Sequence, residues 1–370
     1  MTLFDGIAAR IVETPDLSVN VLERTADDPS TPPDRTVVLV HGNVSSALFW
    51  QELMEDLPRD LRVIAIDLRG YGGTEHAPID ATRGVRDFSD DVHATLEALG
   101  VQTAHLVGWS LGGSVVLQYA LDHPVLSLTL EAPVSPYGFG GTRRDGTRLT
   151  DDDAGTGGGA ANPDFVQRLI DHDTGTDAPT SPRNVFRAHY VAPGFQTEHE
   201  DVWVESMLTT STATGNYPGD AEKSENWPGF AAGKIGVLNT LAPGNHDLST
   251  IVDLPDKFPI LWIHGALDPI VSDASVYDLN NLGKLGIVPG WPGEEVAPPQ
   301  EMVSQTRDVL ARYADAGGQV TEIELEDTGH TPHLERPAEF RHALLAVIGY
   351  VGQPHDPAPP TEAIILRSSD

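Results

Sequence analysis

Ala104-His105-Leu106-Val107-Gly108-Trp109-Ser110-Leu111-Gly112-Gly113 is the stretch that decides how this chain folds. Four residues of strand character run into a glycine, a serine and two more glycines. The next eight, Ser114 to Leu121, are mostly apolar and of helical character. A strand therefore passes into a helix through a turn with glycine on either side of a serine. Side chains two positions from the serine would collide with the neighbouring strand and helix, so glycines stand there. The serine hydroxyl is lifted clear of the backbone at a helix N-terminus, whose positive end favours developing negative charge.

Outward from this turn the same grammar repeats. Thr36 to Val40 and Arg62 to Ile66 are short apolar runs of the kind buried on both faces of a sheet. Helical spacing follows through Phe49, Trp50, Leu53 and Leu57, and again through Val85, Phe88, Val92, Leu96 and Leu99. Leu126 to Leu130, Pro259 to Ile263 and Val320 to Leu325 are further strands. Gln300 to Ala314 and Pro337 to Val351 are further helices. Such alternation predicts an α/β fold with a mostly parallel, doubly wound sheet. Ile7 to Val21 predicts a hairpin turning near Pro15-Asp16. Thr25 to Asp34 reads as a polar loop.

The alternation pauses between Val134 and Lys257. That segment is too long for one structureless loop, and it leaves the sheet at the carboxyl ends of the strands, where ligands bind in open α/β sheets. We expect a lid over residues 134–257, a core from 1–133 and 258–351, and a loosely held tail over 352–370. Phe165, Phe186, Tyr190, Phe195, Trp203, Tyr217, Trp227 and Phe230 supply the lid with large side chains. A second insertion, Leu282 to Pro299, carries Trp291 and is expected to wall the same cleft.

The chain has 370 residues and no cysteine, which excludes disulfides, thiolate metal sites and cysteine nucleophiles. Its formal net charge is −32, which repels nucleic acid and anionic membranes. The lysines are Lys223, Lys234, Lys257 and Lys284. That balance is expected of a protein adapted to high salt, or of a high-GC genome. Neither a signal peptide nor a membrane span is legible, and a cytoplasmic location is expected.

A serine hydroxyl needs a base, and the base needs an orienting group. His330, after Gly329 and just beyond the last strand, is the candidate base; His333 is its rival. Asp268, beyond the strand ending at Ile263, is the candidate orienting acid; Glu131, which ends the strand after the Ser110 helix, is the alternative. The order Ser…Asp…His is that of the nucleophile-elbow architecture. The backbone N–H groups of Asn43 and Leu111 are the expected oxyanion donors, and His41 is expected to serve loop structure. Asp151-Asp152-Asp153 beside a glycine run invites a cation, but its spacing matches no calcium loop. No metal and no cofactor is expected.

Val40-His41-Gly42-Asn43, Asp67-Leu68-Arg69-Gly70-Tyr71-Gly72, Gly108 to Gly113, His264 to Asp268 and Gly329-His330 together resemble the α/β-hydrolase superfamily from about Thr36 to Val351. His41-Gly42-Asn43 is similar to haloalkane dehalogenases, but those and the related epoxide hydrolases use an aspartate nucleophile. With serine at position 110 the pattern resembles esterases, lactonases and carbon–carbon bond hydrolases. The resemblance implies Ser110, His330 and Asp268 as the triad of a hydrolase for a small- to mid-sized apolar ester or lactone. Glu131 is similar in position to an acid that some lactone hydrolases use. A perhydrolase or acyltransferase would use the same triad. A ligand receptor on this fold is the non-enzymatic alternative.

Overall fold

The computed structural model describes residues 1–24 and 35–350 and, as backbone, 364–366. The expected loop at 25–34 and most of the expected tail lie outside the described residues. β1 (Ile7–Glu13) and β2 (Ser18–Arg24) form the antiparallel hairpin, closing between Glu13 and Ser18. β3 (Thr36–Val40), α1 (Gln51–Asp56), β4 (Arg62–Ile66), α2 (Arg86–Ala98), β5 (His105–Trp109), α3 (Leu111–Asp122) and β6 (Ser127–Glu131) follow in alternation. Residues 132–259 then carry α4 (Pro163–Ile170), α5 (Pro182–Val185), α6 (Glu200–Leu208) and a separate ribbon of β7 (Ala221–Lys223) with β8 (Phe230–Ala232). The alternation resumes with β9 (Ile260–Gly265), α7 (Leu279–Lys284), α8 (Met302–Asp315), β10 (Val320–Leu325), α9 (Pro332–Glu335), α10 (Pro337–Val347) and β11 (Ile364–Leu366).

Nine strands make the main sheet, in the order β1-β2-β4-β3-β5-β6-β9-β10-β11. The six from β4 to β10 run parallel to one another. β2 and β11 join that block antiparallel. The inner strands β3, β5, β6 and β9 are buried along their whole length, which fits the nearly continuous apolar runs of β3 and β9, while β6 buries an alternating Ser-Leu-Thr-Leu-Glu. Because they are parallel, the loops that follow β3, β5, β6, β9 and β10 all emerge at one edge. That edge gathers Asn43, Ser110, Glu131, Asp268 and His330.

Two anchors shape the edge. The buried Asp67 carboxylate, just after β4, accepts from the Ala47 N–H at 2.7 Å, the Asn20 amide at 2.7 Å and the Gly73 N–H at 2.8 Å. A Cβ on Gly72 would lie 1.9 Å from that carboxylate, and its φ is +57°, so only glycine fits. Burial raises the Asp67 pKa against the pull of those donors. The second anchor is aromatic. Phe49 packs on Trp109 at 5.0 Å and on Trp203 of α6 at 5.3 Å between ring centroids, which ties the inserted segment to the core. Polar contacts reinforce it: Ser46 meets Ser206 at 2.6 Å, and the Gly72 N–H donates to Thr209 at 3.0 Å. No described helix is long and apolar enough to cross a membrane.

Candidate active site

Ser110 sits between β5 and α3 with φ +56° and ψ −117°. A non-glycine residue held there costs about 1–3 kcal/mol. Its surroundings leave no alternative: a Cβ on Gly108 would lie 2.2 Å from the Gly112 carbonyl, and one on Gly112 would lie 2.3 Å from the Val40 carbonyl. The elbow is fastened by the Ser110 N–H donating to the Glu131 carbonyl and by the Val134 N–H donating to the Ser110 carbonyl.

Across the edge, the His330 Nδ1–H donates to Asp268 Oδ2 at 2.7 Å, and both side chains are buried. The other carboxylate oxygen of Asp268 accepts from the Ile270 and Val271 N–H groups at 2.8 and 3.1 Å. The carboxylate is therefore fixed in orientation, and it fixes the imidazole tautomer with Nε2 as the acceptor. Ser110 and His330 line one cavity of about 460 Å³ together with Asn43 and Leu111. Leu111 is the first residue of α3, so its N–H has no intrahelical acceptor.

His41 takes no part in this edge. Its Nε2 accepts from the Leu68 N–H at 3.0 Å and its Nδ1–H donates to the Gly42 carbonyl at 2.7 Å. Burial lowers its pKa to about 4, which keeps it neutral.

Glu131 and His333, the alternative acid and the rival base, are placed against each other instead. Glu131 Oε1 lies 2.7 Å from His333 Nδ1 and also accepts from the His333 N–H at 2.8 Å. His333 Nε2 lies 3.1 Å from the Phe49 carbonyl. Both ring nitrogens thus face acceptors.

Two further side chains act at this edge without a sequence motif to announce them. The Trp109 indole N–H donates to the His330 carbonyl at 2.7 Å. Tyr190, in the wide helical turn after α5, has its hydroxyl 3.1 Å from the carbonyls of both Asn43 and Val44. Its own carbonyl accepts from the His330 N–H at 2.9 Å and the Thr331 hydroxyl at 3.0 Å. Gly329 makes that approach possible: a Cβ there would lie 2.7 Å from the Val191 and Ala192 backbone. Glu335 completes the clasp by accepting from the Gly329 and Ala192 N–H groups. Position 109 sits inside the serine motif without being specified by it, and Tyr190 stood in the sequence only as one aromatic among eight.

The inserted segment supplies much of the cavity wall. Phe165, Tyr190 and Tyr217 line it; Phe186 and Trp203 are buried in the core cluster instead. From the second insertion Leu282 lines the cavity, whereas Trp291 packs behind it against Gly283.

The aspartate triplet is engaged internally. Asp153 pairs with Arg148 at 2.7 Å, and Asp152 accepts from Ser224 at 2.6 Å. Among the described residues, one group of three metal-ligand side chains gathers within 4.8 Å: His264, Glu322 and Glu324. The Arg307 guanidinium already lies across Glu322 and supplies the positive charge there.

Comparison with known proteins agrees with this geometry. A family model described as the alpha/beta hydrolase fold matches residues 35–301. A fluoroacetate dehalogenase from a Burkholderia species is 32% identical over 133 residues, which is 35% of this chain and 41% of that protein. A monoacylglycerol lipase from Xenopus laevis is 33% identical over 107 residues, 26% of this chain and 30% of the relative. The chain thus spans less than half the length of these curated relatives. Solved structures align over nearly everything. The esterase RhEst1 from Rhodococcus sp. ECU1013 has a TM-score of 0.53 at 21% identity, covering 93% of this chain and 99% of that one. An esterase from Exiguobacterium antarcticum has a TM-score of 0.52 at 15% identity, covering 92% and 100%. With the match to the family model covering most of its length, the chain belongs to the α/β-hydrolase fold family.

Proposed function

We propose that this hydrolase cleaves a carboxylic ester or lactone through an acyl-enzyme. The observation that carries the reading is the 2.7 Å bond from His330 Nδ1 to Asp268, with His330 sharing a cavity with a serine at φ +56°. Ser110 attacks the carbonyl carbon while His330 Nε2 takes its proton. The N–H groups of Asn43 and Leu111 hold the oxyanion, and losing one such donor typically costs about 3 kcal/mol of transition-state stabilisation. The intermediate collapses as His330 returns the proton to the leaving alkoxide. Water then repeats the sequence on the acyl-serine and frees the acid. No step calls for a cofactor.

The segment 134–257 acts as the lid of this site, and a cavity of about 460 Å³ suits a mid-sized, largely apolar substrate. Among the described residues no arginine or lysine lines it, which argues against the carbon–carbon hydrolase reading, whose substrates carry a second carboxylate. The named activities of the similar esterases and of the lipase lend weight to ester chemistry.

The test is hydrolysis of 4-nitrophenyl esters of increasing acyl length. Ser110→Ala should stay folded and lose nearly all turnover. Wild-type rates in the variant would end the proposal.

A further inference from the structure

The cavity wall contains a polar group that the fold itself leaves unused. Most polar side chains there are engaged in structure. The Thr156 hydroxyl donates to the Asp153 carbonyl, Asn162 caps α4, and the Thr180 hydroxyl donates to Asp164. The Tyr190 hydroxyl meets two carbonyls, as described, and Asp278 accepts from the Asn280 and Gln300 N–H groups at 3.0 and 2.8 Å.

His189 differs. It lines the cavity from the inserted segment, and its ring makes no hydrogen bond to another described residue. Its Nδ1 is shielded from solvent, so Nε2 is the nitrogen it can offer a ligand.

His189 is not isolated. Its ring meets Tyr277 edge-on at 5.3 Å between centroids, and Tyr277 and Asp278 line the cavity from the stretch that leads into α7. The inserted segment and that stretch therefore meet at His189 and Tyr277 in the cavity wall. Burial lowers the His189 pKa and raises that of Asp278 to about 6, so near neutrality the wall holds a neutral imidazole at His189 and a carboxylate at Asp278.

We propose that His189, with Tyr277 beside it, forms a specificity subsite for a neutral hydroxyl carried by an otherwise apolar ester. A neutral imidazole presents one donor and one acceptor nitrogen, and a hydroxyl can pair with either. A carboxylate is not matched: among the described residues no arginine or lysine lines the cavity, and the Asp278 charge opposes it. The inference rests on the ester-hydrolase reading of the same cavity and names the substrate class within it.

The probes are two series of 4-nitrophenyl esters, plain alkanoates and their ω-hydroxy counterparts, with acyl chains from about six to twelve carbons so that one length reaches the patch. The readout is the ratio of kcat/KM, hydroxylated over plain. Wild type should favour the hydroxylated ester by about tenfold at its best length. His189→Phe should bring that ratio close to one, and His189→Gln, which keeps a hydrogen-bonding group, should retain part of it. A ratio near one at every length in wild type, or a preference unchanged in His189→Phe, overturns the subsite while hydrolysis itself continues. Failure of wild type to hydrolyse either series overturns the hydrolase reading instead.

Discussion

Asp268 and Glu131 both end up beside a histidine, and their surroundings separate their roles. Asp268 grips the His330 imidazole and is itself gripped by two backbone N–H groups. Glu131 grips His333, beneath the elbow, and one of its oxygens has no partner among the described residues. Asp268→Asn should therefore depress kcat by up to about 10⁴ with little change in KM, because the imidazole loses the tautomer that accepts from Ser110. Glu131→Gln should act on stability: removing one charge of a fully buried pair costs about 3–5 kcal/mol, read as a lower melting temperature, while kcat changes by about tenfold or less. A crippled kcat in folded Glu131→Gln with a mild Asp268→Asn would exchange the two roles. The sequence offered both acids at the right edge, because strand ends are legible from apolar runs. The Ser…Asp…His order favoured Asp268 and kept Glu131 as the alternative. Which acid meets which histidine of Gly329-His330-Thr331-Pro332-His333 depends on α9, which places His333 against Glu131.

The inserted segment is the element whose interior the sequence revealed least. Its expected boundaries rest on where the strand–helix alternation stops. The function of Tyr190 was not, because its contacts are to backbone carbonyls 146 and 147 residues earlier in the chain and to the His330 loop. No periodicity records such pairings. Tyr190 straps the loop bearing Asn43 to the loop bearing His330, so the inserted segment and that edge of the sheet share one set of hydrogen bonds. Tyr190→Phe keeps the ring packing but removes the hydroxyl from the Asn43 loop. It should lower kcat by about tenfold, through a misplaced oxyanion donor, with KM for a short ester changing less. An unaltered kcat would show that the strap holds shape only. His189, in the same turn, tells a similar story: its type is ordinary, and only its place in the cavity wall, without a hydrogen bond to another described residue, singles it out.

At the scale of the whole molecule, 55 acidic residues stand against 23 lysines and arginines. Many arginines are engaged in ion pairs, as Arg69 with Asp91 at 2.6 Å and Arg307 with Glu322, which leaves a large surplus of carboxylate charge. Self-repulsion of that surplus opposes the compact state, and salt screens it with a Debye length of about 10 Å at 0.1 M and 3 Å at 1 M. The melting temperature should therefore rise with KCl up to molar concentration; a flat or falling curve would remove the high-salt reading.

The proposed function turns on one chemical event, the transfer of an acyl group to Ser110. The most direct measurement is the mass of the intact protein, quenched in acid milliseconds after mixing with excess 4-nitrophenyl acetate, followed by peptide mapping. The account predicts an added acetyl group on the peptide that carries Ser110, absent in Ser110→Ala and accumulating in Asp268→Asn if deacylation slows more than acylation. Steady hydrolysis by a wild-type protein in which Ser110 is never acylated, or an acyl group found on another residue, would contradict it.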